Sequence, residues 1–213
     1  MDSKAPRLAK IGFFSTWLLL IATPGLLGAG CGPDEAWVDE RMKTALDHYQ
    51  NRRLDPAYSA AIEVVDQAPG NAAARILVTR VEYYRKNFEA AAEHCGAVLD
   101  DNPEHFGALL WLARIWSTEE GKEREAMALI HRALRIETRS PELWYLKGLL
   151  HERMGEVADA ITAYRVGTAD NRIALSHIRL SELYAKAELN ERRDHHRKMA
   201  TVLGAQKTAA ADQ

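Results

Sequence analysis

From about residue 38 onward, apolar side chains return every three or four positions, in runs the length of an ordinary helix. That spacing lays one apolar stripe along an α-helix and leaves the opposite face polar. The runs come in pairs, and residues 141–167 give the clearest pair. Ser140 suits an N-cap and Pro141 the first helical position, Gly155 ends the first helix, and Glu156 and Asp159 place acid at the start of the second. Gly148 in the first helix and Ala160 in the second are small residues on apolar faces, as close approach of two helices requires. The pattern predicts a helical hairpin.

The hairpin recurs. In the first helices the small position falls at Ala45, Thr79, Ala113, Gly148 and Ser181, at spacings of 34, 34, 35 and 33. The second helices repeat it at Ala57, Ala91, Ala126 and Ala160, and one register later at Val64, Val98, Ala133, Gly167 and Ala200. Punctuation keeps the same beat, since Pro69 to Pro103 and Gly121 to Gly155 are both 34 residues. The chain therefore divides into five hairpins, at 38–71, 72–105, 106–140, 141–173 and 174–207. Asp55-Pro56 reads as a helix start, Pro69-Gly70-Asn71 and Asn102-Pro103 close two repeats, and Asn190 suits a cap for the final helix. The one extra residue of the third hairpin falls in the turn at 117–120. Such an array buries apolar surface between neighbours rather than around a central core. Residues 208–213 carry no apolar stripe and read as a disordered tail.

A period near 34 with Trp144, Gly148, Gly155, Ala160 and Tyr164 at these offsets resembles the tetratricopeptide repeat, as do Leu112, Ala113 and Trp116, and Leu180, Ser181 and Tyr184. The first hairpin lacks the aromatic anchor of its first helix, and the fifth has Arg193 where alanine is expected. The resemblance covers residues 38–207 and implies an all-α fold, a right-handed superhelical solenoid of about five hairpins.

The first thirty residues follow other rules. Lys4, Arg7 and Lys10 form a positive head, an uncharged apolar run follows over 11–27, and Gly28-Ala29-Gly30 supplies small residues for cleavage. This is the layout of an export signal, and Pro24 and Gly25 interrupt a run shorter than the ~20 residues of a spanning helix. Leu27-Gly28-Ala29-Gly30-Cys31 resembles a bacterial lipobox, with Gly28 where the pattern usually has leucine. The resemblance implies that Cys31 is diacylated, becomes the new N-terminus and holds the protein on a lipid bilayer through a short tether, 31–37. Ordinary signal peptidase could also accept Gly28 and Gly30, which leaves Cys31 a free thiol. Gly32 stands where lipoprotein sorting rules place aspartate for inner-membrane retention, so the resemblance implies the outer membrane, facing the periplasm.

Charge narrows the partners. Loss of residues 1–30 removes three of 28 basic and one of 30 acidic groups, leaving 25 against 29, a net charge of −4. There is no basic stripe, which argues against nucleic acid. Cys95, the only other cysteine, falls at the position of Tyr164 in its own hairpin and reads as a core residue.

Catalytic chemistry finds little support. His151-Glu152 opens like a zinc-protease helix, but the residue four after His151 is Gly155. His195 and His196 are about 100° apart on a helix and cannot chelate one ion together. Neither a nucleophile elbow nor a phosphate loop is present, so no enzyme, metal or cofactor is expected, and a metal-dependent hydrolase is the weakest reading.

Trp111, Trp116, Trp144, Tyr164 and Tyr184 recur at repeat spacing and read as packing between helices. In the resembled family the first helices line a concave groove. Carried over, the groove stripe is Met42, Leu46 and Tyr49; Ile76, Arg80 and Tyr83; Leu110 and Arg114; Tyr145, Leu149 and Arg153; and Ile178 and Glu182. Arg80 and Arg114 hold equivalent places and suit a carboxylate or a helix C-terminus. The family's chaperone-tail clamp needs lysine and asparagine where Ile76, Arg80, Leu110 and Arg114 stand, so that ligand is not expected. The expected role is a membrane-anchored adaptor or assembly scaffold for another envelope protein. The alternative is an assembly factor resembling the pilotin lipoproteins, which carry a secretin to the outer membrane.

Overall fold

The computed structural model describes residues 34–169 and 174–211, with side chains as far as Gly204. The export signal, Cys31 and the first part of the tether, as far as Pro33, lie outside the described residues. These residues form ten helices and no strand: α1 (Glu35–Gln50), α2 (Leu54–Gln67), α3 (Ala72–Tyr84), α4 (Phe88–Asp101), α5 (Phe106–Trp116), α6 (Glu123–Ile136), α7 (Pro141–Arg153), α8 (Val157–Gly167), α9 (Ala174–Lys186) and α10 (Asn190–Ala211). Each odd helix packs on the even helix after it, and each even helix on the odd helix that follows. The odd helices also touch one another, α1 on α3, α3 on α5 and α5 on α7, which makes theirs the closer-spaced side of the array.

The five hairpin turns share one geometry that the sequence only partly announces. Arg52, Lys86, Gly121, Gly155 and Glu188 all have left-handed backbone, with φ of 56°, 65°, 83°, 79° and 59°. In four turns the next N–H closes back on the carbonyl five residues earlier, Arg53 on His48, Asn87 on Glu82, Glu156 on His151 and Leu189 on Tyr184, at 2.8–2.9 Å. That bond satisfies a carbonyl the helix end would otherwise orphan. Glycine adopts this backbone freely, whereas Arg52, Lys86 and Glu188 adopt it at a cost of about 1 kcal/mol each.

Helix boundaries depart from expectation in three places. Asp34 caps α1 by accepting from Ala36 N at 3.1 Å, so this helix begins three residues before the expected boundary. Asp55 does not cap α2; Arg53 holds that position without a side-chain bond, and Asp55 instead receives Arg85 from the second hairpin. At the other end, α10 continues to Ala211. Ala209, Ala210 and Ala211 have the highest helix propensity of any residue and need no apolar partner to extend a helix already begun.

The small positions of the first helices have a different cause from backbone approach. A Cβ on Gly148 would lie 2.5 Å from Tyr164 Cε1 and 2.6 Å from Cδ1, so Gly148 is small because a whole tyrosine ring lies against it. Tyr164 is fully buried. In the second hairpin the corresponding pair is Thr79 and Cys95, both buried, with the thiol 3.6 Å from the Thr79 hydroxyl. As one partner shrinks the other grows.

The core is a chain of neighbouring clusters. One gathers Ala45, Val64, Leu77 and Val78 across the first two hairpins, a second runs from Ala91 and Cys95 through Leu112 and Ile130 to Leu150, and a third joins Tyr164 to Leu180 and Tyr184. Glu152 strengthens the last junction by accepting from the Tyr164 hydroxyl at 2.6 Å and from two nitrogens of Arg179 at 2.6 and 3.0 Å.

Candidate interaction surface

Two amino-acid types dominate the side lined by the odd helices, aromatics and arginines, and they alternate. The Arg80 guanidinium lies 4.2 Å from the centre of the Tyr49 ring and donates from Nε to the Tyr49 hydroxyl at 3.2 Å. Its other neighbour is Trp111, at 5.9 Å, and the Arg114 guanidinium lies 4.6 Å from that same indole. Tyr83 meets Trp111 edge to face at 5.4 Å and packs on Phe88 and Tyr84. Tyr49, Arg80, Trp111 and Arg114 thus form a ladder across three hairpins, held by the attraction of a cation for an aromatic face. Burial raises the Tyr49 and Tyr145 phenol pKa values, so both remain neutral donors.

The arginines keep capacity in reserve. Among the described residues neither Arg80 nor Arg114 pairs with a carboxylate, so their outward N–H groups are available to an incoming acid. Beyond Arg114 the surface opens into a cavity of about 290 Å³ lined by Tyr83, Tyr145, Leu146, Leu149 and Leu175, with Arg114, Glu142, Ser117 and Thr118 on its walls. A second cavity, of about 430 Å³, lies at the first hairpin turn against Tyr49, Tyr84 and Leu54.

The structure sorts the expected stripe. Tyr83, Arg114, Tyr145 and Leu149 converge on one cavity, and Tyr49 and Arg80 stand in the ladder beside it. Met42, Ile76 and Leu110 are mostly packed against core clusters, while Leu46 and Ile178 are exposed. Arg153 is committed elsewhere: it donates to the carbonyls of Ser117 at 2.5 Å and Glu119 at 2.9 Å and pairs with Glu123 at 2.6 Å, clasping the third hairpin turn to α7. Glu182 is held by Arg179 at 2.6 Å.

Trp111 packs between helices as expected, against the central core cluster and Tyr83, but it is only partly buried and also meets two arginines. It occupies the register of Leu77 and Leu146, both buried, but an indole is too large for that space, and its ring reaches the surface between two arginines. Leu175 also joins the cavity from a hairpin whose stripe did not include it. Size at a repeated core register was the signal that could have found Trp111.

Cross-helix contacts also alter the histidine picture. His151 Nδ1 lies 2.6 Å from Glu156 Oε2, and with Asp159 these ligand atoms fall within 4.8 Å of one another across the turn at Gly155. Two of the three are exposed carboxylates. His196 meets His177 of α9, Nδ1 to Nδ1 at 2.8 Å, as well as the His195 ring of its own helix at 5.1 Å.

Against this geometry stand the comparisons with known proteins. Residues 72–179, just over half of the chain, match the family model described as the TT21 fifth ARM repeats domain. The chain belongs to that family. Among solved structures this helical-repeat chain is similar to TTC0263, a thermophilic tetratricopeptide protein of Thermus thermophilus, at 17% identity over 82% of this chain and 98% of that one, with a TM-score of 0.69. It is similar to PilF of Pseudomonas aeruginosa at 13% identity, covering 79% and 77% of the two chains with a TM-score of 0.70. MamA of Desulfovibrio magneticus RS-1 gives 12% identity, coverage of 80% and 96%, and a TM-score of 0.65. A search of curated protein sequences finds no match. The ten packed helices are therefore a tetratricopeptide array, and identities this low speak for the fold alone.

Proposed function

We propose that this chain is a non-enzymatic scaffold, tethered to the outer membrane of a bacterial envelope through acylated Cys31, that captures an extended or helical segment of another envelope protein on the face of its odd helices. The observation that carries the reading is the ladder of Tyr49, Arg80, Trp111 and Arg114 running into an apolar cavity. Aromatic and arginine side chains are the residues that most often dominate binding energy. Their arrangement suits a segment that offers a large apolar side chain to the cavity and a carboxylate, or a helix C-terminus, to Arg114.

Exchanging Tyr83→Ala together with Arg114→Glu removes one cavity wall and reverses the charge beside it. Crosslinking pull-down from native membranes should recover the partner with the wild type and lose it with the double variant, at unchanged helicity and with a cooperative melt retained. Full recovery with the variant would move the contact surface elsewhere. The tether has its own test. The wild-type protein should partition with membranes and carry a blocked N-terminus at Cys31, and Cys31→Ala should release it or stall its processing, because stable anchoring needs two acyl chains or more. A soluble wild-type protein with an unmodified Cys31 would remove the membrane part of the proposal and leave the groove untouched.

A further inference from the structure

The final helix is docked on the array through a histidine inserted between two residues of α9. His196 Nδ1 lies 2.8 Å from His177 Nδ1, and its ring stacks on Tyr184 with centroids 5.6 Å apart and planes 19° from parallel. His177 and Tyr184 are seven residues apart, two turns of α9, so they grip the His196 ring from one face of that helix. Both are buried, at 3% and 4% exposure. We infer that this histidine contact is an acid-sensitive latch, closed at neutral pH and opened by protonation, which frees α10 and uncovers the α9 surface beneath it.

The chemistry of the contact supports this. Two imidazoles can share one proton between facing Nδ1 atoms, one donating and the other accepting. When both rings are charged, each Nδ1 carries a proton, neither Nδ1 can accept from the other, and two positive rings face each other.

Among the described residues, the charges placed around His196 oppose its protonation. From α9 the neighbours are His177 and Tyr184, and from α8 Arg165 adds positive charge. On α10 itself stand His195, whose ring centre is 5.1 Å from that of His196, and Arg192, whose guanidinium lies 5.6 Å from the Tyr184 ring. Asp194, the nearest acid in sequence, is held by Arg193 at 2.8 Å. Burial and these cations lower His196 to about 4, and burial also lowers His177.

The sign follows from linkage. A freed α10 takes up its histidine proton near pH 6.5, whereas the docked helix resists until about pH 4, so docking is fully present at neutral pH and weakens as pH falls between these values. At pH 5.0 the full difference amounts to about 30-fold in the docking equilibrium, and partial exposure of the ring reduces it to roughly tenfold.

Hydrogen exchange of the full chain at pH 7.5 and 5.0, corrected for intrinsic exchange rates, reads the latch directly. Protection of backbone amides in 193–204 should fall about tenfold at the lower pH, while protection in α5 and α6 stays constant. His196→Phe keeps the stack on Tyr184 and cannot titrate, so its protection should not depend on pH. His196→Gln serves the same purpose if the phenylalanine disturbs folding. Equal wild-type protection at both pH values, or the same loss in both variants, would overturn the inference.

Discussion

Replacing Gly148 by alanine sets two opposing effects against each other, and the structure decides which wins. In an open helix this exchange gains about 1 kcal/mol, because alanine has the higher helix propensity. Here the added Cβ would stand 2.5, 2.6 and 2.8 Å from three atoms of the Tyr164 ring. Carbon atoms in contact prefer about 3.5–4.0 Å, so the ring would have to withdraw by about 1 Å. It has nowhere to go. Tyr164 is fully buried, and its hydroxyl is tied to Glu152, which Arg179 holds in turn. Overpacking of this kind costs about 1–3 kcal/mol, and after the propensity gain a net loss of about 1–2 kcal/mol is expected. Chemical denaturation followed by circular dichroism measures it, with a fall in Tm of about 2–4 °C per kcal/mol. A cycle sharpens the test, because Gly148→Thr with Tyr164→Cys rebuilds the Thr79 and Cys95 pair of the second hairpin. The double variant should be more stable than the two single losses together predict, by at least about 1 kcal/mol of coupling. A Gly148→Ala protein stabilised by about 1 kcal/mol, or an additive cycle, would refute the packing argument.

Two other outcomes are expected. Arg153→Met keeps the stem but removes the bonds to Ser117, Glu119 and Glu123, so it should cost about 1–2 kcal/mol in a urea melt while leaving partner capture at wild-type strength, since Arg153 serves the fold and not the groove. Cys95 is buried, which pushes its thiol up to about 11, so mass spectrometry after alkylation at pH 8 should find it modified roughly a hundredfold more slowly in native protein than in urea. Because the unfolded thiol ionises first, this group's contribution to stability is whole below about pH 9 and is lost as pH rises toward 11.

The sequence by itself determined the repeat. A 34-residue beat of small, aromatic and turn positions is enough to name the hairpins, because each repeat must bury the same stripe against its neighbours and so must spell it again. Glycine also marked the turns at Gly121 and Gly155, since it is the residue that takes left-handed backbone without strain. The same backbone at Arg52, Lys86 and Glu188 was decided by the packing of the hairpins, which holds these residues where their own preference would not. Tertiary structure also decided how the groove is furnished. Arg80 and Arg153 look alike as exposed helical arginines, yet one stacks on Tyr49 and the other clasps a loop 36 residues away in sequence. The spacing of a stripe fixes which way a side chain leaves its own helix, whereas its partners belong to other helices and to the volume left between them. For the same reason Trp111 came to lie between two arginines and His196 found His177, contacts that exist only once the helices are packed.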